Sequence, residues 1–163
     1  MSIFKTKDDG GPLGLVSGED REPPVGSHMI TPRCGYLHHG IYVGGGEVVH
    51  YSGYLFGLRR GPVELTALES FRIGRPLWIK SNPNARFKGA DVVRRALSRL
   101  GENRYRLLTN NCEHFCEWCL CGEQRSYQVE ALRAWYRRTA YAMINTLSLL
   151  VSWRRGALLG HRA

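Results

Sequence analysis

Thr109-Asn110-Asn111-Cys112-Glu113-His114-Phe115 sets three good helix N-caps directly before an apolar-spaced run. The stretch predicts a helix beginning close to Cys112, with Cys112, Phe115, Cys116 and Cys119 sharing its buried face. A helix N-terminus carries about half a positive charge and unpaired N–H groups, and both stabilise a thiolate. Cysteine attacks as thiolate, and the same N–H groups can later cradle an oxyanion, so Cys112 is a candidate nucleophile.

A nucleophile of this kind needs a base, and the chain offers histidines upstream. From Val25 to Tyr51 short apolar runs alternate with glycine, which predicts strands over Ser27 to Thr31, Gly40 to Val43 and Glu47 to Tyr51. The last two form a hairpin around Gly44-Gly45-Gly46. If those glycines make a three-residue loop, Val43 pairs with Glu47 and His38 faces Ser52, two positions from His50. His38 and His50 then share one face of the sheet. Diagonal neighbours lie roughly 7 to 8 Å apart, within reach of two imidazoles. A two-residue loop places them on opposite faces, because a slip of one residue flips every side chain. In the shared-face register His39 points the other way and leaves the site. His38 is then the general base toward Cys112 and the acid toward the leaving group, and His50 holds and polarises its ring.

Outside these motifs the chain reads as one α+β domain with flanking segments. Its 163 residues suit a single core. Residues 1–24, rich in Gly, Asp and Glu and ending in Pro23-Pro24, read as a flexible leader. Further short strands are expected at Val63 to Thr66, Leu77 to Lys80 and Tyr105 to Leu108, with a helical turn near Leu68 to Phe71. Asp91 to Leu100 predicts a helix whose inner face holds Val93, Ala96, Leu97 and Leu100, stopped by Gly101.

Five cysteines is an odd number, and no basic flank and apolar run near the start suit export, so reduced thiols and a cytoplasmic location are expected. The net charge is +9, with an acidic leader before a basic body and tail. That sign favours phosphate-bearing partners, whether anionic lipid headgroups or nucleic acid. Residues 131–163 read as a basic amphipathic helix or tail, with Leu132, Trp135, Tyr136, Met143, Leu147, Leu150 and Val151 at helical spacing. The uncharged run from Thr139 to Trp153 spans roughly 22 Å at about 1.5 Å per residue, short of the roughly 30 Å hydrocarbon core. The tail is therefore expected to lie in a membrane interface, on the domain or on a second subunit, and not to span.

His38-His39-Gly40-Ile41-Tyr42-Val43-Gly44, Val48-Val49-His50 and Asn111-Cys112-Glu113-His114-Phe115 together resemble the lecithin:retinol acyltransferase-like domain. That family sits within the permuted papain-like, NlpC/P60 thiol enzymes, and the likeness covers roughly residues 25–130. It implies a small antiparallel sheet packed on helices with the nucleophile at a helix N-terminus. It also implies Cys112 as acyl acceptor, His38 as base and His50 as third member, acting on a lipid or other acyl-bearing substrate without a cofactor. Glu113 and His114 match the motif and are expected to support the helix start. No nucleic acid partner is expected.

Three other readings stay open at this point. One is a peptide or amide hydrolase of the NlpC/P60 kind. Another is a metal-cluster protein, since Cys112, Cys116 and Cys119 form a Cys-x3-Cys-x2-Cys run. The third is a non-catalytic interaction module on the same fold.

Overall fold

The structure, a computed structural model, describes residues 14–15, 22–55 and 59–159. Short apolar runs between glycine-rich turns form an antiparallel sheet of six strands in the order β1-β6-β2-β3-β4-β5. The strands are β1 (Gly14–Leu15), β2 (His28–Arg33), β3 (Tyr36–Gly44), β4 (Glu47–Leu55), β5 (Arg59–Ala67) and β6 (Trp78–Lys80). Helices α1 (Leu68–Arg72), α2 (Ala90–Leu97) and α3 (Cys112–Cys121) complete the unit that ends at Ser126. This is an α+β architecture consistent with a small single-domain papain-like fold. Most of the expected leader lies outside the described residues. Within it, Gly14–Leu15 pairs with β6 and the Glu22 carboxylate accepts from the Tyr42 hydroxyl and, at 2.8 Å, from the Gly45 N–H.

The sheet separates two apolar layers. On one side Ile41, Val49, Tyr51 and Val63 pack against Val92 and Ala96 of α2 and Phe115, Cys116 and Cys119 of α3. On the other, Met29, Tyr42, Val48, Phe71 and Leu77 form a smaller cluster. Burial on both faces explains the dense apolar runs of β3 and β4.

Two expectations about the elements around the sheet fail. The inner face of α2 is turned: Val92 and Ala96 are buried, whereas Leu97 and Leu100 are exposed. Arginines occupy the inner face instead, because Arg95 lies 4.0 Å over the Trp118 ring and donates to the Trp118 and Cys119 carbonyls at 2.7 and 3.1 Å. It thus satisfies carbonyls at the end of α3 while its stem packs as an apolar group. Residues 105–108 are not a strand. A single bridge between Arg106 and Asn110 closes a turn there, leaving Leu107 and Leu108 exposed while Tyr105 packs 5.2 Å from Tyr51.

The second unit begins with α4 (Tyr127–Leu159), 33 residues long and so about 50 Å. Trp135, Tyr136, Tyr141, Met143, Ile144, Leu147, Leu149 and Leu150 are exposed along it. Among the described residues no helix is long and apolar enough to cross a membrane.

Candidate active site

The β3–β4 hairpin does not have the expected three-residue loop. Gly44 pairs with Glu47 across a two-residue turn, Gly45-Gly46, whose φ values of 61° and 74° suit glycine. Alone, that turn would put His39 rather than His38 on the face of His50. A β-bulge between Tyr42 and Gly44 absorbs one extra residue and restores the parity, so Tyr42 pairs with Val48 and Gly40 with His50. His38 and His50 therefore share a face for a different reason from the one the loop suggested. His38 Nε2 and His50 Nδ1 lie 3.0 Å apart, and both side chains are buried.

Paired residues share a face, so the register extends this row across the sheet. Thr31 of β2 stands opposite His38, Arg33 opposite Tyr36, and Glu64 of β5 opposite His50. Glu64 Oε1 lies 3.5 Å from His50 Nε2, a carboxylate that motif reading missed. Only the β4–β5 register, invisible without the structure, brings it there. Phe71 covers the row, with its ring 5.2 Å from His38 and 5.4 Å from His50. Gly40 makes that cover feasible, because a Cβ there would meet Val48 at 2.5 Å and Phe71 at 2.9 Å. Arg33 donates to the Phe71 carbonyl, which tethers a cation beside the two histidines.

Cys112 approaches through the point where β3 and β4 part. Their pairing runs from Gly44–Glu47 to Gly40–His50, after which β3 continues along β2 and β4 along β5. The Tyr42 N–H turns toward β2, bonding the Ser27 carbonyl at 2.9 Å. By alternation the His39 N–H points to the side that β4 has left. The Cys112 thiol receives that N–H, together with those of Glu113 and of Cys112 itself. Asn111 is the N-cap, its side-chain oxygen accepting from the Glu113 and His114 N–H groups at 3.0 Å each, and His114 completes a capping box.

The protonation pattern differs from the thiolate that the helix terminus alone suggested. Burial pushes the Cys112 thiol up to about 12, outweighing the three N–H groups. Burial, then the His50 ring and Arg33, hold His38 well below the ordinary imidazole value, and burial brings His50 to about 4. At neutral pH the site holds a neutral thiol and two neutral imidazoles. His38 Nδ1 is buried and has no partner among the described residues, so the thiol does not hydrogen-bond it in this state.

His39 enters a different environment. Its Nδ1 lies 2.8 Å from His28 Nε2, and His28 Nδ1 lies 3.2 Å from Asn82 Oδ1. Asn82 donates to Glu117 at 2.9 Å, and Lys80 Nζ lies 3.3 Å from Glu113 and 3.2 Å from Glu117. The Ser126 hydroxyl donates to Glu113 at 2.6 Å, and the Asn111 amide donates to Ser126 at 3.4 Å. This buried polar network fastens β2, β3 and β6 to α3. His114 thus serves the helix start, as expected, the Glu113 carboxylate instead ties α3 to Lys80 and Ser126, and Cys116 and Cys119 lie in the apolar core. Among the described residues no group of three His, Cys, Asp or Glu side chains is arranged to hold a metal ion.

Comparison with known proteins gives the family. Residues 21–125 match the family described as lecithin retinol acyltransferase. The chain is 26% identical to lecithin retinol acyltransferase of Mus musculus over 132 residues, covering 64% of this chain and 57% of the relative. Against the Homo sapiens protein it is 27% identical over 130 residues, covering 63% and 56%. The chain thus spans little more than half the length of the curated relatives it matches. On the family match and the sheet-and-helix arrangement together, the chain belongs to the lecithin retinol acyltransferase family.

Proposed function

We propose that the protein is a cysteine-dependent acyltransferase or phospholipase-type hydrolase that works through an acyl-enzyme on Cys112. The carrying observation is the buried pair His38 Nε2 and His50 Nδ1 at 3.0 Å, beside a capped helix N-terminus that presents Cys112. His38 Nδ1 takes the thiol proton as Sγ attacks the carbonyl carbon of an ester. In that tautomer His38 Nε2–H donates to His50 Nδ1, and His50 carries its own proton on Nε2, facing Glu64 Oε1 at 3.5 Å. One direction of donation runs through the row, which fixes the His38 tautomer and orients its Nδ1 lone pair without an ion pair at rest. The Cys112 and Glu113 N–H groups face the charge that develops on the attacked oxygen. Collapse expels the alcohol, protonated by His38, and leaves a thioester. A second nucleophile then takes the acyl group and returns Cys112 to its thiol, which makes the kinetics ping-pong.

The family relationship supports an acyl-bearing lipid as substrate, and residues 25–130 form the catalytic domain in this reading. The basic residues Arg133, Arg137 and Arg138 and the exposed aromatic and aliphatic side chains of α4 support peripheral contact with an anionic membrane surface.

The test is hydrolysis or transfer from mixed phospholipid vesicles, run beside a cell-wall peptide of the kind NlpC/P60 enzymes cleave. Phospholipid turnover that disappears in Cys112→Ala is expected. Cleavage of the peptide alone would assign the site to amide hydrolysis, and equal turnover by both chains would remove the cysteine mechanism.

A further inference from the structure

A cleft of about 920 Å³ is lined by Arg99, Glu102, Arg104, Arg106, Asn110 and Trp118, and by neither Cys112, His38 nor His50. That volume is ordinary for a small-molecule site. Its carboxylate is already neutralised, because Arg99 donates to Glu102 Oε2 at 2.6 Å and to Oε1 at 2.5 Å. Arg104 and Arg106 form no ion pair among the described residues, so the cleft keeps two uncompensated positive charges. The segment that carries them is fixed. Tyr105, between the two arginines, is buried and packs 5.2 Å from Tyr51, whose hydroxyl accepts the Arg104 N–H at 2.6 Å. Asn110 Nδ2 donates to the Arg104 carbonyl at 3.0 Å, and the Arg106 and Asn110 backbones bond each other at 3.0 and 2.8 Å. The backbone around the cleft therefore needs no ordering when a ligand arrives.

The turn between Arg106 and Thr109, both of which line the cleft, consists of Leu107 and Leu108, 56% and 47% exposed. A single exposed leucine is ordinary on a protein surface. Two at the tip of a fixed turn, beside arginines without carboxylate partners, match the chemistry of a membrane interface. There apolar side chains enter the acyl boundary while guanidinium groups meet phosphates, which they grip with paired N–H donors. We propose that this cleft seats the phosphate of a phospholipid headgroup, held by Arg104 and Arg106, with Leu107 and Leu108 inserted beside it. It is a docking site in the unit that carries Cys112, separate from the catalytic row and from α4. The proposal goes beyond the acyl-enzyme reading and does not rest on it.

The test is co-sedimentation of the full chain with vesicles of equal parts phosphatidylserine and phosphatidylcholine, in a Cys112→Ala background so that the result is independent of the acyl-enzyme. The double variant Arg104→Gln, Arg106→Gln binds about 25-fold more weakly than this parent, about fivefold for each arginine held at an anionic surface. Arg94→Gln removes the same charge from an exposed position on α2 that is paired with Asp91 and lies outside the cleft, and it changes binding less than about twofold. The double variant Leu107→Gln, Leu108→Gln keeps every charge and weakens vesicle binding at least about tenfold. All four substituted side chains are exposed, so both double variants melt with their parent. An arginine variant that binds no more weakly than Arg94→Gln overturns the cleft as a phosphate site. A leucine variant that binds like its parent overturns the docking assignment, and displacement of the vesicles from that variant by sn-glycerol 3-phosphate would assign the cleft to a soluble phosphate ester instead.

Discussion

His38 and His39 are neighbours on one strand, yet their side chains serve opposite ends. His39 points into a network in which Asn82, His28, Lys80, Glu113, Glu117 and Ser126 satisfy one another. His38 points into a row that ends in unsatisfied atoms, Nδ1 of its own ring and Oγ1 of Thr31. Buried polar groups with partners hold a fold together, and those left without them cost stability. In the proposed mechanism this difference divides the sheet between reactivity, where the two orphans stand together in the His38 row, and support, where the His39 network is complete.

The division breaks if the two faces respond alike. The largest expected effect is on chemistry: His38→Asn lowers acylation by about 10²- to 10⁴-fold, the usual worth of a positioned base, and leaves the melting temperature near wild type. Next is support. Lys80→Met leaves Glu113 and Glu117 without that ammonium and costs about 3–5 kcal/mol in denaturant unfolding, the range for breaking a buried ion pair. Burial pulls the Lys80 ammonium down, but the two carboxylates outweigh it and hold it above its usual value, so the lysine stays charged.

Acid sharpens the same comparison. Burial lowers His39 from 6.5 to about 4. Between those values the unfolded chain binds a proton that the folded chain refuses, so stability is full above about pH 6.5 and falls as pH drops toward 4. The contribution is on the order of 3 kcal/mol. His39→Gln, which can still hydrogen-bond His28, shows a shallower loss of denaturation midpoint across that window. Activity should follow the other face. With His38 and His50 both lowered by burial, the acid limb of kcat/KM falls below pH 6.5, the ordinary imidazole value. An acid limb at or above that value would contradict a neutral pair. The smallest effect is at Glu64, half in solvent and 3.5 Å from His50, where Glu64→Gln lowers kcat less than about threefold.

Much of the reactive face was legible because it depends on local rules. Asn111 before Cys112 is a capping signal, and strand parity selected His38 over His39. His38 and His50 share a face through a two-residue turn plus a bulge, because a bulge has the same effect on register as one more loop residue. Thr31 and Glu64 escaped because pairing partners from other strands are set by sheet topology. The supporting network escaped for another reason: Lys80, Glu113 and Glu117 look like surface charges, and only their convergence between β6 and α3 makes burial tolerable. Arg95 misled the reading of α2 in the same way, as a charge whose stem lies on aromatic rings.

The most direct test of the central claim is to locate the acyl group. After incubation with phospholipid vesicles, intact mass and fragmentation of the wild-type chain should place one acyl adduct on Cys112, absent from Cys112→Ala and strongly reduced in His38→Asn. An adduct on exposed Cys34, or one that persists in Cys112→Ala, would contradict the account.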